Sequence, residues 1–222
     1  MLVHDRVDAG RRLAQALVSE QRSSLVVLGL PRGGVPVAAE VARSLGVPLD
    51  VLVVRKLGVP QHRELAMGAI GEGGVCVVDD EIVRSLGVRD RELAAVERAE
   101  SEVLRLRAAS YRGVLPARDL ASHPVVIVDD GMATGSTARA ACEVARARGA
   151  SRVVVAVPVA SASAVRTLAA VADDVVTLSV PASFHAVGEF YDDFSPTTDT
   201  DVLALLQDEA ARELPQDGTA AS

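Results

Sequence analysis

The residues best equipped for chemistry lie between Val125 and Thr137 and read Val-Val-Ile-Val-Asp-Asp-Gly-Met-Ala-Thr-Gly-Ser-Thr. The apolar run at 125–128, entered through Pro124, drives a strand into a sheet, and Asp129 and Asp130 emerge at its carboxyl end. In open α/β sheets ligands bind at that edge. A short turn then reaches Thr134, Gly135, Ser136 and Thr137, which open a helix. Backbone N–H groups without helical acceptors, helped by the helix dipole, form a phosphate cradle at such a point. Gly135 lets the backbone come close, and the three hydroxyls can donate as well. A phosphate cradle beside two carboxylates implies a ligand with an anionic end next to a polyol. The carboxylates repel phosphate but accept hydrogen bonds from ribose hydroxyls, directly or through Mg²⁺.

Two further segments have anion-binding character. Gly29-Leu30-Pro31-Arg32-Gly33-Gly34 connects an apolar run to an amphipathic one. Its paired glycines expose backbone N–H groups, and Arg32 adds charge-assisted hydrogen bonds. Arg55-Lys56 follows the second apolar run, and Lys56 is the only lysine among 23 basic residues.

These segments need a scaffold that puts them at one edge. Runs at 24–29, 49–54, 125–128, 153–157 and 175–178 are nearly continuous in Val, Leu and Ile and read as buried strands. Helical spacing at 34–45, 134–148 and 162–172 falls between them. Strands apolar on both faces and separated by helices indicate a parallel sheet covered on both sides. Residues 67–78, with a Gly-Glu-Gly-Gly turn, suggest a β-hairpin, and 90–109 a charged amphipathic helix that covers the fold and is solvated. Residues 1–214 read as one domain, without repeat or linker, and the small polar residues 215–222 as a disordered tail.

Composition narrows the class. Hydrophobic residues make up 49% of the 222 and charged residues 24%, the balance of a soluble globular domain. No apolar run approaches the roughly 20 residues of a membrane span, and no signal-peptide core is present. A cytoplasmic protein without membrane association is the expectation. The net charge of −7 disfavours a nucleic-acid surface, which needs clustered positive charge. Cys76 and Cys142, in apolar surroundings, are expected to be buried and unpaired. Four of the five aromatic residues (Phe184, Phe190, Tyr191 and Phe194) crowd into one short stretch. Aromatic faces there can stack on a base, or plug a subdomain that lacks its own aliphatic core. The G-x-x-x-x-G-K-[ST] loop, G-x-G-x-x-G after a strand and the G-x-S-x-G elbow are all absent.

The 125–137 segment resembles the signature of type I phosphoribosyltransferases, which bind 5-phosphoribosyl-1-pyrophosphate (PRPP). That family's fold is a parallel sheet flanked by helices with a small hood. The resemblance runs from about Asp5 to Leu206. Leu-Gly-Leu-Pro-Arg-Gly-Gly-Val-Pro-Val-Ala, Arg-Lys-Leu-Gly-Val-Pro and Glu-Leu-Ala-Met-Gly-Ala-Ile are similar to a bacterial subgroup of predicted members. It implies that Asp129 and Asp130 face the ribose hydroxyls and meet Mg²⁺ through PRPP and water, and that Ala133–Thr137 hold the 5′-phosphate. Gly33 and Gly34 with Arg32 would form the pyrophosphate loop, with Arg55 and Lys56 reaching the same group. Residues 57–64 occupy the place of a loop that closes over substrate. Residues 180–200 would form the hood, with Phe184 and Tyr191 next to the acceptor.

The implied reaction is Mg²⁺-dependent transfer of phosphoribosyl from PRPP to a nitrogen nucleophile, with release of pyrophosphate. Arg32, Lys56 and Mg²⁺ would neutralise the leaving group, and the two aspartates would favour positive charge on the ribose ring. Ala133 stands where the 6-oxopurine enzymes carry a further acid, so any general acid or base must come from elsewhere, such as His62, Glu64 or His185. The alternative is a PRPP- or nucleotide-sensing regulator without transferase activity. Relatives often dimerise, so a homodimer is one expected state.

Overall fold

The computed structural model describes residues 3–18, 20 and 23–213. Helix α1 (Arg6–Ala16) leads into β1 (Val26–Gly29), α2 (Gly34–Leu45) and β2 (Leu49–Val51). An antiparallel excursion follows, β3 (Val54–Val59), β4 (His62–Gly71) and β5 (Val75–Val78), then α3 (Asp80–Ser85) and α4 (Asp90–Arg112). The chain returns through β6 (Pro124–Val128), α5 (Ser136–Ala147), β7 (Arg152–Val159), α6 (Ala162–Leu168), β8 (Asp174–Ser179) and α7 (Asp199–Glu213).

The buried runs become a five-stranded parallel sheet of order β2-β1-β6-β7-β8. Alternation along β6 explains why its sequence is apolar throughout. Val126 and Val128 face α1 and α2, packing with Leu13, Leu17, Val37 and Val41. Val125 and Ile127 face the other way, onto Ala141, Val144 and Leu168 of α5 and α6. Both faces are covered, and each fully buried Val or Leu contributes roughly 1.5–3 kcal/mol. The expected parallel sheet flanked by helices is therefore the fold observed.

The second sheet, β3-β4-β5, lies between α4 and α5. Leu57, Met67 and Ile70 pack with Leu104, Ala108 and Tyr111, while Ala69 meets Ala140 and Val144. The run expected as one strand at 49–54 is divided here. Val51 ends β2, Leu52 donates its N–H to the Gly29 carbonyl at 3.0 Å, and Val54 begins β3 in the other sheet. Arg55 and Lys56 thus sit on an antiparallel ribbon. Residues 57–64 are not a free loop but the end of β3, a turn at Pro60-Gln61 and the start of β4, with register shifts on both sides of Gly58. The expected hairpin at 67–78 is β4–β5. Cys76 departs from expectation, since it lies on an edge strand and is exposed, whereas Cys142 is buried on α5. Residues 215–222 lie outside the described residues. No described helix is long and apolar enough to cross a membrane.

One buried charge network ties the two sheets together. Asp50, wholly inaccessible, binds the Arg112 guanidinium at 2.6 Å, and Glu72 in the β4–β5 turn takes the same guanidinium at 2.6 and 3.0 Å. Arg112 also donates to the Val51 carbonyl at 2.8 Å, so the end of α4 is fastened to the point where the chain leaves the parallel sheet. Arg112→Ala leaves two buried carboxylates uncompensated and is expected to cost about 3–5 kcal/mol in denaturant titration. Thiol reagents should label Cys76 in the native protein and Cys142 only after unfolding. Native labelling near neutral pH should be slower than for a free thiol. Burial and the nearby Glu97 raise the Cys76 pKa, which lowers its thiolate fraction.

Candidate functional site

Strand β6 delivers Asp129 and Asp130 half-buried at its carboxyl end. The Asp130 N–H donates to Asp129 Oδ1 at 2.9 Å, which turns the chain out of the sheet. Burial, and then the neighbouring Asp130 charge, push the Asp129 carboxyl well above the usual carboxylate range. A cation or a set of hydroxyl donors placed here would relieve that repulsion. No group of three or more His, Cys, Asp or Glu is gathered to hold a metal among the described residues. Two carboxylates alone suit a cation such as Mg²⁺, which keeps waters and takes its other oxygens from a ligand's phosphates.

The hydroxyl-rich turn follows directly. Gly135 adopts φ +75° at the cap of α5, and nothing lies closer than 3.4 Å to a Cβ built there. Glycine is therefore needed for the left-handed backbone and not for room. Ala133, Thr134 and Thr137 are exposed, and the Thr134 and Ser136 hydroxyls lie 3.0 Å apart. Ser161, at the cap of α6, donates to the Ala133 carbonyl at 2.6 Å and anchors the turn from outside. The expected 5′-phosphate residues are thus brought together as one open cradle.

Residues 29–34 join β1 to α2 beside this edge. The Pro31–Arg32 peptide is cis. Gly33 and Gly34 are needed for space. A Cβ on Gly33 would lie 2.0 Å from Asp130 Oδ2, and one on Gly34 2.5 Å from the Val128 carbonyl oxygen. The loop therefore packs against both aspartates. Arg32 points to Asp199 at the start of α7, 3.6 Å away.

A cleft of about 570 Å³ runs along the β3 edge and is bordered by Pro31, Arg55, Lys56, Glu100, Arg107 and Thr137, among others. Asp129 and Asp130 are outside its lining, so the ligand groups fall into two clusters joined by residues 31–34. Successive strand residues face opposite sides. Arg55 reaches Glu100 on α4 at 2.7 Å, while Lys56 occupies the next position on β3. Helix α4, expected only to cover the fold, is a wall of the cleft. Arg107 lies there without a carboxylate partner among the described residues. Tyr111 Oη donates to Asp199 at 2.7 Å, and burial with that bond raises its pKa. Arg107 and Arg32 both oppose the rise, so each guanidinium lies near enough to Tyr111 to act on it.

Residues 180–198 carry one 3₁₀ turn, Val187–Phe190, and little other regular structure. Phe184 stacks on Phe190 at 5.5 Å. Tyr191 is buried, pairs with Val3 in an isolated bridge and donates its hydroxyl to the Asp130 carbonyl at 2.6 Å. Here its ring packs instead of presenting a face. His185 is exposed with Glu189 at 3.5 Å, His62 is exposed at the hairpin turn, and the Glu64 side chain lies outside the described residues. Sequence reasoning missed Arg107 and, at the acidic pair, Arg6. Its Nη2 and Nε meet Asp130 Oδ2 at 2.7 and 3.0 Å, from 124 positions away.

Comparison with known proteins agrees with this geometry. The phosphoribosyl transferase domain family matches residues 3–195. Two Mycobacterium tuberculosis proteins, from strains CDC 1551 / Oshkosh and ATCC 25618 / H37Rv, each named a putative phosphoribosyl transferase, are 52% identical over 217 residues, 98% of this chain. The chain spans about half of these relatives, 49% of their length. The crystal structure of TT1426 from Thermus thermophilus superposes with a TM-score of 0.89 at 49% identity, covering 94% of this chain and 99% of that one. The family model spans residues 3–195, most of the described chain, and this chain belongs to the phosphoribosyl transferase domain family.

Proposed function

We propose that this chain transfers a 5-phosphoribosyl group from PRPP to a nitrogen nucleophile, releasing pyrophosphate. One observation carries the reading. A solvent-open, hydroxyl-rich helix start follows directly on two carboxylates that are packed against a glycine loop bearing Arg32. The cradle at 133–137 suits a phosphate, the aspartates suit the ribose hydroxyls between, and the cleft with Arg55, Lys56 and Arg107 suits a second, larger anion.

In this reading the C1–O bond breaks with its electron pair leaving on pyrophosphate, and the acceptor nitrogen forms the new bond to C1. Positive charge grows on the ribose ring as negative charge grows on the leaving group. Asp129 and Asp130 favour the first, and Arg32, Lys56 and Arg107 the second. Asp129 and Asp130 would be the residues to hold Mg²⁺, directly or through water, and it would supply positive charge against the leaving pyrophosphate. The phosphate cradle binds a group remote from the reacting carbon and so holds that carbon in place.

Calorimetric titration with PRPP is expected to show saturable binding, strengthened by Mg²⁺ and weakened by its chelation. Asp130→Asn should weaken binding or turnover at least about tenfold, or ~1.4 kcal/mol. Absence of PRPP binding by the folded protein with Mg²⁺ present would remove the reading. Ribose 5-phosphate separates the two ends of the ligand, because it lacks the pyrophosphate. Lys56→Ala and Arg107→Ala should each weaken PRPP by about tenfold and leave ribose 5-phosphate nearly unchanged, as expected for charged contacts worth ~1.5–3 kcal/mol. Equal losses for both ligands would place these two side chains elsewhere.

A further inference from the structure

Arg6 is the best-connected charge at the site and has no part in the chemistry above. Its side chain is only 12% exposed, and a buried guanidinium requires several acceptors. It has them. Nη2 and Nε both donate to a single oxygen, Asp130 Oδ2, at 2.7 and 3.0 Å, and Nη1 donates to the Ser195 carbonyl at 2.8 Å. The guanidinium also lies over the Phe194 ring, 4.1 Å from its centroid, with the Tyr191 ring at 5.9 Å.

The other side of the Asp130 carboxylate is closed by the glycine loop, where a Cβ on Gly33 would fall 2.0 Å from the same Oδ2. Held between Arg6 and Gly33, the carboxylate has one orientation, with both Arg6 contacts made to Oδ2 and none to Oδ1. Asp130's backbone is fixed too, since Tyr191 Oη donates to its carbonyl at 2.6 Å. The chain around Tyr191 is in turn pinned to the start of α1. Val3 N–H donates to the Phe190 carbonyl at 3.0 Å, and Asp192 N–H returns a bond to the Val3 carbonyl at 3.1 Å.

We propose that Arg6 is a positioning residue of the ribose site, holding the Asp130 carboxylate in one orientation toward the ligand and coupling it to residues 190–195. The inference rests on the PRPP reading. Arg6 acts through Asp130 and does not touch the ligand. It also cancels one of two neighbouring negative charges that would otherwise face a polyanion. The effect belongs to the ribose end, so ribose 5-phosphate should report it as well as PRPP.

The test is a double-mutant cycle read by calorimetry with both ligands, on wild type, Arg6→Gln, Asp130→Asn and the double variant. Thermal melts confirm that each is folded. Each single change should weaken both ligands about tenfold, and the double variant should be within about threefold of the weaker single one, because the two residues act as a unit. Arg6→Lys should recover part of the loss, and it replaces Arg6→Gln in the cycle if the latter does not fold. Losses that multiply to about a hundredfold in the double variant would overturn the inference and show Arg6 acting independently of Asp130. So would unchanged ribose 5-phosphate affinity in Arg6→Gln. If wild type binds neither ligand, the PRPP reading falls and this inference with it. If wild type binds and the losses multiply, only the inference falls.

Discussion

Two adjacent carboxylates at the end of a buried strand repel each other and resist leaving water, and the surroundings of Asp129 and Asp130 answer that conflict. At an effective dielectric near 20, unit charges about 4 Å apart interact by about 4 kcal/mol, so like charges held this close call for a compensating partner. The protein treats the two differently. Asp129 is left with burial and a like charge, which hold its pKa up. Asp130 is paired with Arg6. The requirement reaches outward from there. Helix α1 must present Arg6, residues 29–34 must carry glycine where they meet the pair, and residues 190–195 must close over Arg6.

Two of the cations at the other end of the site are also occupied. Arg55 holds Glu100, and Arg32 is 3.6 Å from Asp199, which Tyr111 fixes from α4. A polyanion entering the cleft must exchange with these carboxylates. The Arg32–Asp199 pair, about half exposed, can make that exchange cheaply, since surface ion pairs contribute at most about 1 kcal/mol. The Arg6–Asp130 pair, 12% and 16% exposed, is not of that kind. The Asp130 end is therefore prearranged, and the Arg32 end is built from contacts that can be traded.

What could be read from the sequence follows the range of the interactions. Strands β1 and β6 and helices α2 and α5 were legible because apolar periodicity and glycine placement are local properties. The cradle at 133–137 and the glycines at 33 and 34 were legible for the same reason. Arg6 was not, since an arginine in an arginine-rich amphipathic helix has no local mark, and its partner lies 124 residues on. Helix α4 looked like a solvated cover because its charges were counted without knowing that a second sheet and a cleft lie beneath it. The break after Val51 was hidden by continuous apolar residues, which suit the end of one sheet and the start of another equally well. Cys76 was misplaced because burial of β5 could not be judged before its edge position was known.

The division between the sheets gives the site its mechanical logic. The parallel sheet carries the acidic pair and the phosphate cradle on elements buried on both faces. The antiparallel sheet carries Arg55 and Lys56 and is fastened at its far end by Arg112, through Asp50 and Glu72. That fastening lies at the root of the ribbon, where the chain leaves β2, while Pro60-Gln61 forms its exposed tip. The ribbon is anchored at the root and irregular near the tip, with shifted register around Gly58, while Leu57, Val59 and Met67 stay buried in the core it shares with α4. The acidic pair and the β3 cations thus sit on different sheets, with residues 31–34 and the start of α5 reaching toward both.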